Sequence, residues 1–297
     1  MNIDKFLTKS KQADKLFISF SGGETSAYMT KMLLDNIAKY YDEVIVLFAN
    51  TGQENEETLS FVDQCDAEFG FGVVWVEADV QHDKRQGSQA KVVNYQTASR
   101  EGEPFEEVIK KYGIPNQAYP HCTRELKLNP MTNYLRSIGW QKGDYDVAVG
   151  IRADEIDRMS ASAKQNNIMY PLISLDPKTK PEINTFWKNQ NFRLNLKGYQ
   201  GNCRWCWKKS FRKHFALIEE DPSIYDFPKE MESRYGLAGS NLDGTPRKFF
   251  RKNTSTNELI ALKDITEWKH PDDDSVIYSD ELDATAGCSD SCEIDFE

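Results

Sequence analysis

Two glycines and three hydroxyls meet in Ser21-Gly22-Gly23-Glu24-Thr25-Ser26. Glycines let a backbone turn sharply and approach an anion closely. Ser21, Thr25 and Ser26 add hydroxyl donors. An apolar run ends just before this stretch and a helical pattern follows it. The free amides and dipole of a helix start attract phosphate. The stretch therefore reads as a phosphate cradle, and the plain alternative is a turn with a Ser or Thr helix cap. No Gly-Lys-Ser/Thr follows, so it is not a Walker-type loop. It also lacks the Gly-x-Gly-x-x-Gly of a dinucleotide fold.

A second chemistry sits in the cysteines: Cys65, Cys122, Cys203, Cys206, Cys288 and Cys292. Cys203-Arg204-Trp205-Cys206 is a C-x-x-C, a spacing that grips one metal or cluster, or serves as a redox dithiol. Cys65 reads as a buried thiol. Trp205, Trp207, Lys208, Lys209, Arg212, Lys213 and His214 crowd the same region. Aromatics beside cations can stack on bases and pair with phosphates, which would suit tRNA or DNA. The plain reading is a helix with cations in water and aromatics packed inward.

These residues need a scaffold. Lys15 to Phe20, Glu43 to Ala49, Val73 to Val76 and Asp146 to Ile151 read as buried strands. Ala27 to Tyr40 and Glu56 to Phe69 have helical spacing. Strand and helix alternate, which implies an α/β fold with a parallel sheet flanked by helices. Residues 80 to 103 are polar without a clear period and read as a long loop, a candidate lid. Phe105 to Tyr112 and Leu126 to Ile138 read as helices ending at Gly113 and Gly139. Tyr170 to Ile173 reads as extended; Ile183 to Gln190 and Phe211 to Glu220 read as helices. Beyond Gly236 the pattern weakens, and an acidic tail from Asp272 carries Cys288 and Cys292. The expected division is a nucleotide-binding unit with the cysteine site over 1–210, then a helical region with the tail over 211–297.

Of the 297 residues, 39% are hydrophobic, enough for a packed core. A net charge of −10 argues against diffuse attraction to nucleic acid. No apolar stretch is long enough for a membrane span, and the first residues have no signal-peptide h-region. A cytoplasmic location is expected, and a reducing cytosol shifts the cysteines from disulfides toward metal or redox use.

Ser21 to Ser26 resembles the pyrophosphatase loop, Ser-Gly-Gly-x-Asp/Thr-Ser, of adenine-nucleotide α-hydrolase-like (PP-loop) enzymes. Asn50-Thr51-Gly52 follows the second strand, where that superfamily places residues near the nucleotide. Val149-Gly150-Ile151-Arg152 follows the fourth and looks like the Gly-x-Arg segment of phosphoadenosine phosphosulfate reductases. His121-Cys122-Thr123-Arg124-Glu125-Leu126-Lys127-Leu128-Asn129-Pro130 resembles the Cys-Cys-x-x-x-Lys-x-x-Pro run of adenylyl-sulfate reductases, with Thr123 in place of the second cysteine. The overall resemblance is to the phosphoadenosine phosphosulfate reductase family, including phage-encoded and DNA phosphorothioation-type members, over about residues 15 to 220.

The resemblance implies a Rossmann-like (HUP-type) fold. It implies ATP or an adenylyl sulfate, with Mg²⁺, on Ser21, Gly22, Gly23, Thr25, Ser26, Asn50, Thr51, Gly52, Gly150 and Arg152. Thr25 stands where many such loops carry Asp, so the loop supports nucleotide binding better than a particular metal geometry. Lys127 and Arg152 would neutralise phosphate. Cys122, Cys203 and Cys206, completed by Cys288, Cys292 or His121 or left open, would hold a [4Fe–4S] cluster, with zinc as the alternative. Two activities follow: ATP-dependent sulfur transfer to a tRNA, DNA or small molecule, fed by a sulfur-donor protein; or reduction of an adenylyl sulfate, with tail Cys292 or Cys288 as nucleophile and a thiol reductant protein as partner. A nucleotide-binding protein with structural zinc is the bland third option.

Overall fold

The computed structural model describes residues 1–83, 86–239 and 244–271. Six strands form one sheet: β1 (Lys15–Ser19), β2 (Glu43–Ala49), β3 (Val73–Val80), β4 (Ser88–Val93), β5 (Tyr145–Ala148) and β6 (Ile168–Met169), in the order β4-β3-β2-β1-β5-β6. β1, β2, β3, β5 and β6 run parallel, and β4 pairs antiparallel with β3 at the edge. Ten α-helices are described: α1 (Ile3–Ser10), α2 (Glu24–Asn36), α3 (Glu56–Phe69), α4 (Glu103–Tyr112), α5 (Asn129–Ser137), α6 (Pro171–Ser174), α7 (Lys180–Lys188), α8 (Phe211–Glu220), α9 (Asp226–Tyr235) and α10 (Thr256–Ile265).

Both faces of the sheet are covered, so the central strands are apolar almost without interruption. Alternation along β1 sorts its side chains. Leu16 and Ile18 join Val46 and Phe48 against α1, α2, α3 and α7. Phe17 joins Leu47, Val147 and Trp140 on the face that α5 covers. A third apolar cluster joins Ala78 and Val80 at the end of β3 to α4, α8, α9 and α10, with Trp205 and Trp207 inside it. The C-terminal helices thus pack on α4 and on the segment that carries the C-x-x-C.

The structure corrects two readings and adds a third element. Residues 80 to 103 are not one long loop: β3 continues to Val80 and returns as β4, with Val80 opposite Ser88 and Trp75 opposite Val93. In β4 only Ser88 and Val93 are buried, because an edge strand faces water. Tyr170 to Ile173 is not extended, because Pro171 opens the single turn of α6. Beyond Gly236, α10 begins at a Ser255/Glu258 capping box.

No helix among the described residues is long and apolar enough to cross a membrane. The acidic tail, with Cys288 and Cys292, lies outside the described residues.

Candidate functional site

β1 ends at Ser19 and α2 begins at Glu24, so the glycine loop lies at the carboxyl edge of the sheet, where open α/β folds bind ligands. Gly22 has φ +81°, and a Cβ there would lie 2.8 Å from Thr58 Cγ2 and 3.0 Å from Phe48 Cε2. The position therefore requires glycine. Ser26 holds the turn: its Oγ donates to the Gly23 carbonyl at 3.0 Å and accepts from the Ser21 N–H at 3.2 Å. The Ser21 and Ser26 hydroxyls are 2.8 Å apart. No side chain caps α2, which leaves its first-turn amides available to an anion.

Arg152 comes from the segment after β5, through the buried backbone of Gly150 and Ile151. Its guanidinium is buried and donates through Nη1 to Thr25 Oγ1 at 3.1 Å. Nε donates to Asp154 at 2.9 Å, and Glu155 lies 3.5 Å from Nη1. Arg152 is thus both part of a local ion-pair group and a contact of the glycine loop.

Beside Thr25 opens a cavity of about 240 Å³, lined by Glu24, Thr25, Lys180, Asn184, Arg193 and Asn202 among others. Arg193 pairs with Glu24 through two hydrogen bonds of 3.0 and 3.2 Å. Burial raises the Glu24 pKa, and Arg193 opposes the shift. Glu24, Lys180, Arg193 and Asn202 were not singled out as site residues. Only Asn202, next to the C-x-x-C, carried a sequence signal.

The second loop spends its polar groups on itself and on the neighbouring β3 and Ser99. Asn50 Nδ2 donates to Glu77 at 2.7 Å and to the Ser99 carbonyl at 2.9 Å, while its Oδ1 accepts from the Gly52 N–H at 3.2 Å. Thr51 donates from both N–H and Oγ1 to Glu54 Oε2, each at 2.8 Å. Glu54 Oε1 is buried without a hydrogen bond and lies 3.8 Å from Lys127 Nζ. Lys127 sits on a π-helical turn, Arg124–Leu128, just before α5. Thr51 and Lys127 line a different cavity from Thr25, one shared with the cysteines.

That cavity, of about 40 Å³, is walled by Phe105, Cys122, Cys203 and Cys206 together with Thr51 and Lys127. Cys203 and Cys206 are hydrogen-bonded to each other, and this bond, followed by burial, pushes the Cys203 thiol well above its ordinary value. Burial, then the charge of Cys206, raises Cys122. Three of the expected metal ligands, Cys122, Cys203 and Cys206, thus share one cavity. Among the described residues, no group of three His, Cys, Asp or Glu is arranged to hold a metal. Of the predicted completing ligands, His121 is hydrogen-bonded to the Gly113 carbonyl at 3.1 Å, and Cys288 and Cys292 lie outside the described residues.

The aromatic half of the cationic cluster packs inward. Trp205 is fully buried and donates from Nε1 to Gln53 Oε1 at 2.6 Å; Trp207, Lys209 and His214 are buried as well. The two halves of the site touch through a short ladder. Asn202 Nδ2 donates to the Ser21 carbonyl at 2.7 Å. The Asn55 N–H donates to the Asn202 carbonyl at 3.0 Å, and the Arg204 N–H to the Gln53 carbonyl at 3.0 Å. One residue therefore separates Cys203 from the glycine loop.

Residues 15–169, just over half of the chain, match the phosphoadenosine phosphosulfate reductase domain, and the chain belongs to that family. The match takes in the glycine loop, the second loop, Lys127 and Arg152, and stops before the C-x-x-C. An uncharacterized nin region protein of Escherichia phage lambda, ORF290, is 30% identical over 93% of this chain and 94% of its own length. Two uncharacterized proteins of Methanocaldococcus jannaschii are 27% and 30% identical over 43% and 40% of this chain, but over only 21% and 22% of theirs. Among solved structures, a phosphoadenylyl-sulfate reductase from Candida auris, in complex with phosphate, aligns over 66% of this chain and 82% of its own, with 13% identity and a TM-score of 0.38.

Proposed function

We propose that this protein binds an adenylyl sulfate on the glycine loop and reduces it, releasing sulfite and an adenosine phosphate. The observation that carries the reading is the contact between Arg152 and Thr25. It sets a buried guanidinium beside an uncapped helix start that is shaped to receive an anion. Family membership supports an adenylyl sulfate as the substrate class.

The first-turn amides of α2 and the hydroxyls of Ser21 and Thr25 hold the nucleotide's phosphate. Arg152 balances its charge, and Lys180 stands in the adjoining cavity. The loop supplies a threonine where an acidic side chain would recruit Mg²⁺ for a triphosphate, and the nearby Glu24 is engaged by Arg193. A phosphate–sulfate anhydride carries fewer charges than ATP and suits this balance better. Lys127 and Glu54 form a buried pair on the cysteine side of the loop, within reach of a thiol rather than of the first-turn amides. The reaction takes two electrons, moving sulfur from the sulfate to the sulfite level, and two thiols supply them by closing a disulfide.

The test is to incubate the full chain, with a dithiol reductant, with adenosine 5′-phosphosulfate, its 3′-phosphorylated form, or ATP. Sulfite from either adenylyl sulfate supports the reading. Pyrophosphate from ATP with no sulfite from the adenylyl sulfates replaces it with ATP-driven transfer.

A further inference from the structure

Glu54 is only 2% exposed, and its two carboxylate oxygens are used unequally. Oε2 accepts from the N–H and from Oγ1 of Thr51, each at 2.8 Å. Those bonds account for Oε2 as the tie of a tight loop. They leave Oε1, which is buried without a hydrogen bond. A buried carboxylate oxygen in that state is costly unless a positive charge offsets it. The Lys127 ammonium stands 3.8 Å away, and Lys127 is itself only 9% exposed. At that distance the attraction is electrostatic, since a hydrogen bond needs a closer approach. Oε1 therefore steers the ammonium and takes none of its hydrogens.

The backbone fixes both partners. Lys127 lies on the π-helical turn Arg124–Leu128, a rare conformation that is frequent at functional sites. Glu54 pairs with Cys203 in an antiparallel bridge, and its carbonyl accepts from Arg204 Nε at 3.1 Å. Thr51 and Lys127 line the cysteine cavity of about 40 Å³. Glu54, outside that wall, holds both of them, Thr51 by hydrogen bonds and Lys127 by charge. One carboxylate thus sets two of the cavity's polar side chains at once.

We propose that Glu54 is a positioning residue: it aims the Lys127 ammonium into the cysteine cavity, where the sulfo end of the nucleotide meets it. That use rests on the reductase reading; the pairing of Glu54 with Lys127 does not. The sulfo group keeps negative oxygens throughout its reduction. An ammonium already fixed beside them needs no reorganisation as their charge shifts.

The test is a double-mutant cycle on the full chain, read in two ways. Glu54→Gln keeps an oxygen for Thr51 and removes the charge beside Lys127; Lys127→Met removes the ammonium. In urea unfolding, each single variant should lower the midpoint, because one buried charge is left alone, and the double variant should lose less than the two singles together. Losses that simply add overturn the proposal. The second readout is sulfite release from adenosine 5′-phosphosulfate or its 3′-phosphorylated form, with a dithiol reductant. Glu54→Gln should lower kcat roughly 10- to 100-fold, the effect of a group misplaced by about 1 Å, with KM held within about twofold. The same substitution made in Lys127→Met should lower kcat no further, and Glu54→Asp, which keeps the charge, should recover part of the rate. An equal loss in the Lys127→Met background, or a raised KM with kcat held, overturns the proposal. If Glu54→Gln fails to fold, Glu54→Asp decides: a lowered kcat with KM held supports it, and a raised KM with kcat held overturns it. A chain that shows the coupling in urea yet makes no sulfite from either adenylyl sulfate defeats the reductase reading alone.

Discussion

The rim around Ser21 to Ser26 and the rim around Cys203 to Cys206 lie one residue apart and are built by opposite means. The glycine loop is made of backbone: a left-handed glycine, a serine staple, open amides and one imported guanidinium. The C-x-x-C is made of packing. Trp205 is wedged against Phe105, Phe227 and Phe249, Lys209 caps the loop from below, and Gln53 ties the indole to the neighbouring loop. A backbone-built site can be disabled while the fold stands. A packing-built one cannot, because its side chains are also core.

Perturbing each rim tests that contrast. The largest effect falls on the packed side. Trp205→Ala removes a fully buried indole and leaves Gln53 without its donor, costing about 3–5 kcal/mol in urea unfolding. A loss below 1 kcal/mol would mean that the C-x-x-C region is not part of the cooperative core.

On the backbone side, Arg152→Gln should weaken adenylyl-sulfate binding roughly 10- to 100-fold, the value of a charge-assisted contact. The reactivity of Cys206 toward alkylation should stay as it was. A parallel fall in both would merge the two rims into one unit.

A third perturbation is acid. Burial, chiefly, lowers the His121 pKa to about 4, with Arg124 and Arg247 adding to the shift and Gly113 and Glu125 opposing it. The folded chain therefore keeps this ring neutral where the unfolded chain protonates it. Its contribution is complete above about pH 6.5 and is lost as pH falls toward about 4. Unfolding midpoints at pH 7 and pH 5 should converge in His121→Gln relative to the unaltered chain, although the buried His214 retains its own acid sensitivity. Ser255→Ala, which touches only the start of α10, should cost about 1 kcal/mol through the lost capping box, with nucleotide binding unaltered.

The same contrast explains what the sequence revealed. Local signals carry the glycine loop, β1, β2 and α8: an apolar run, a glycine pair and a helical period are each visible within ten residues. Arg152 was readable because it follows a strand end. Lys180, Arg193 and Glu54 were not, because their roles arise from partners distant in sequence, such as Glu24 for Arg193; Lys209 stood out as one of a run of cations, but the run hides its burial. β4 escaped because an edge strand needs few apolar residues. The metal reading rests on spacing and on the family resemblance; the fold gathers Cys122, Cys203 and Cys206 around one small cavity, and the tail cysteines expected to complete the set lie outside the described residues.

The most direct measurement is calorimetric titration of adenosine 5′-phosphosulfate into the unaltered chain and into Arg152→Gln, both checked for folding. If an anion sits between the α2 amides and the guanidinium, the unaltered chain saturates with one nucleotide per chain and the variant binds far more weakly. Equal affinities, or no heat from either, would contradict it.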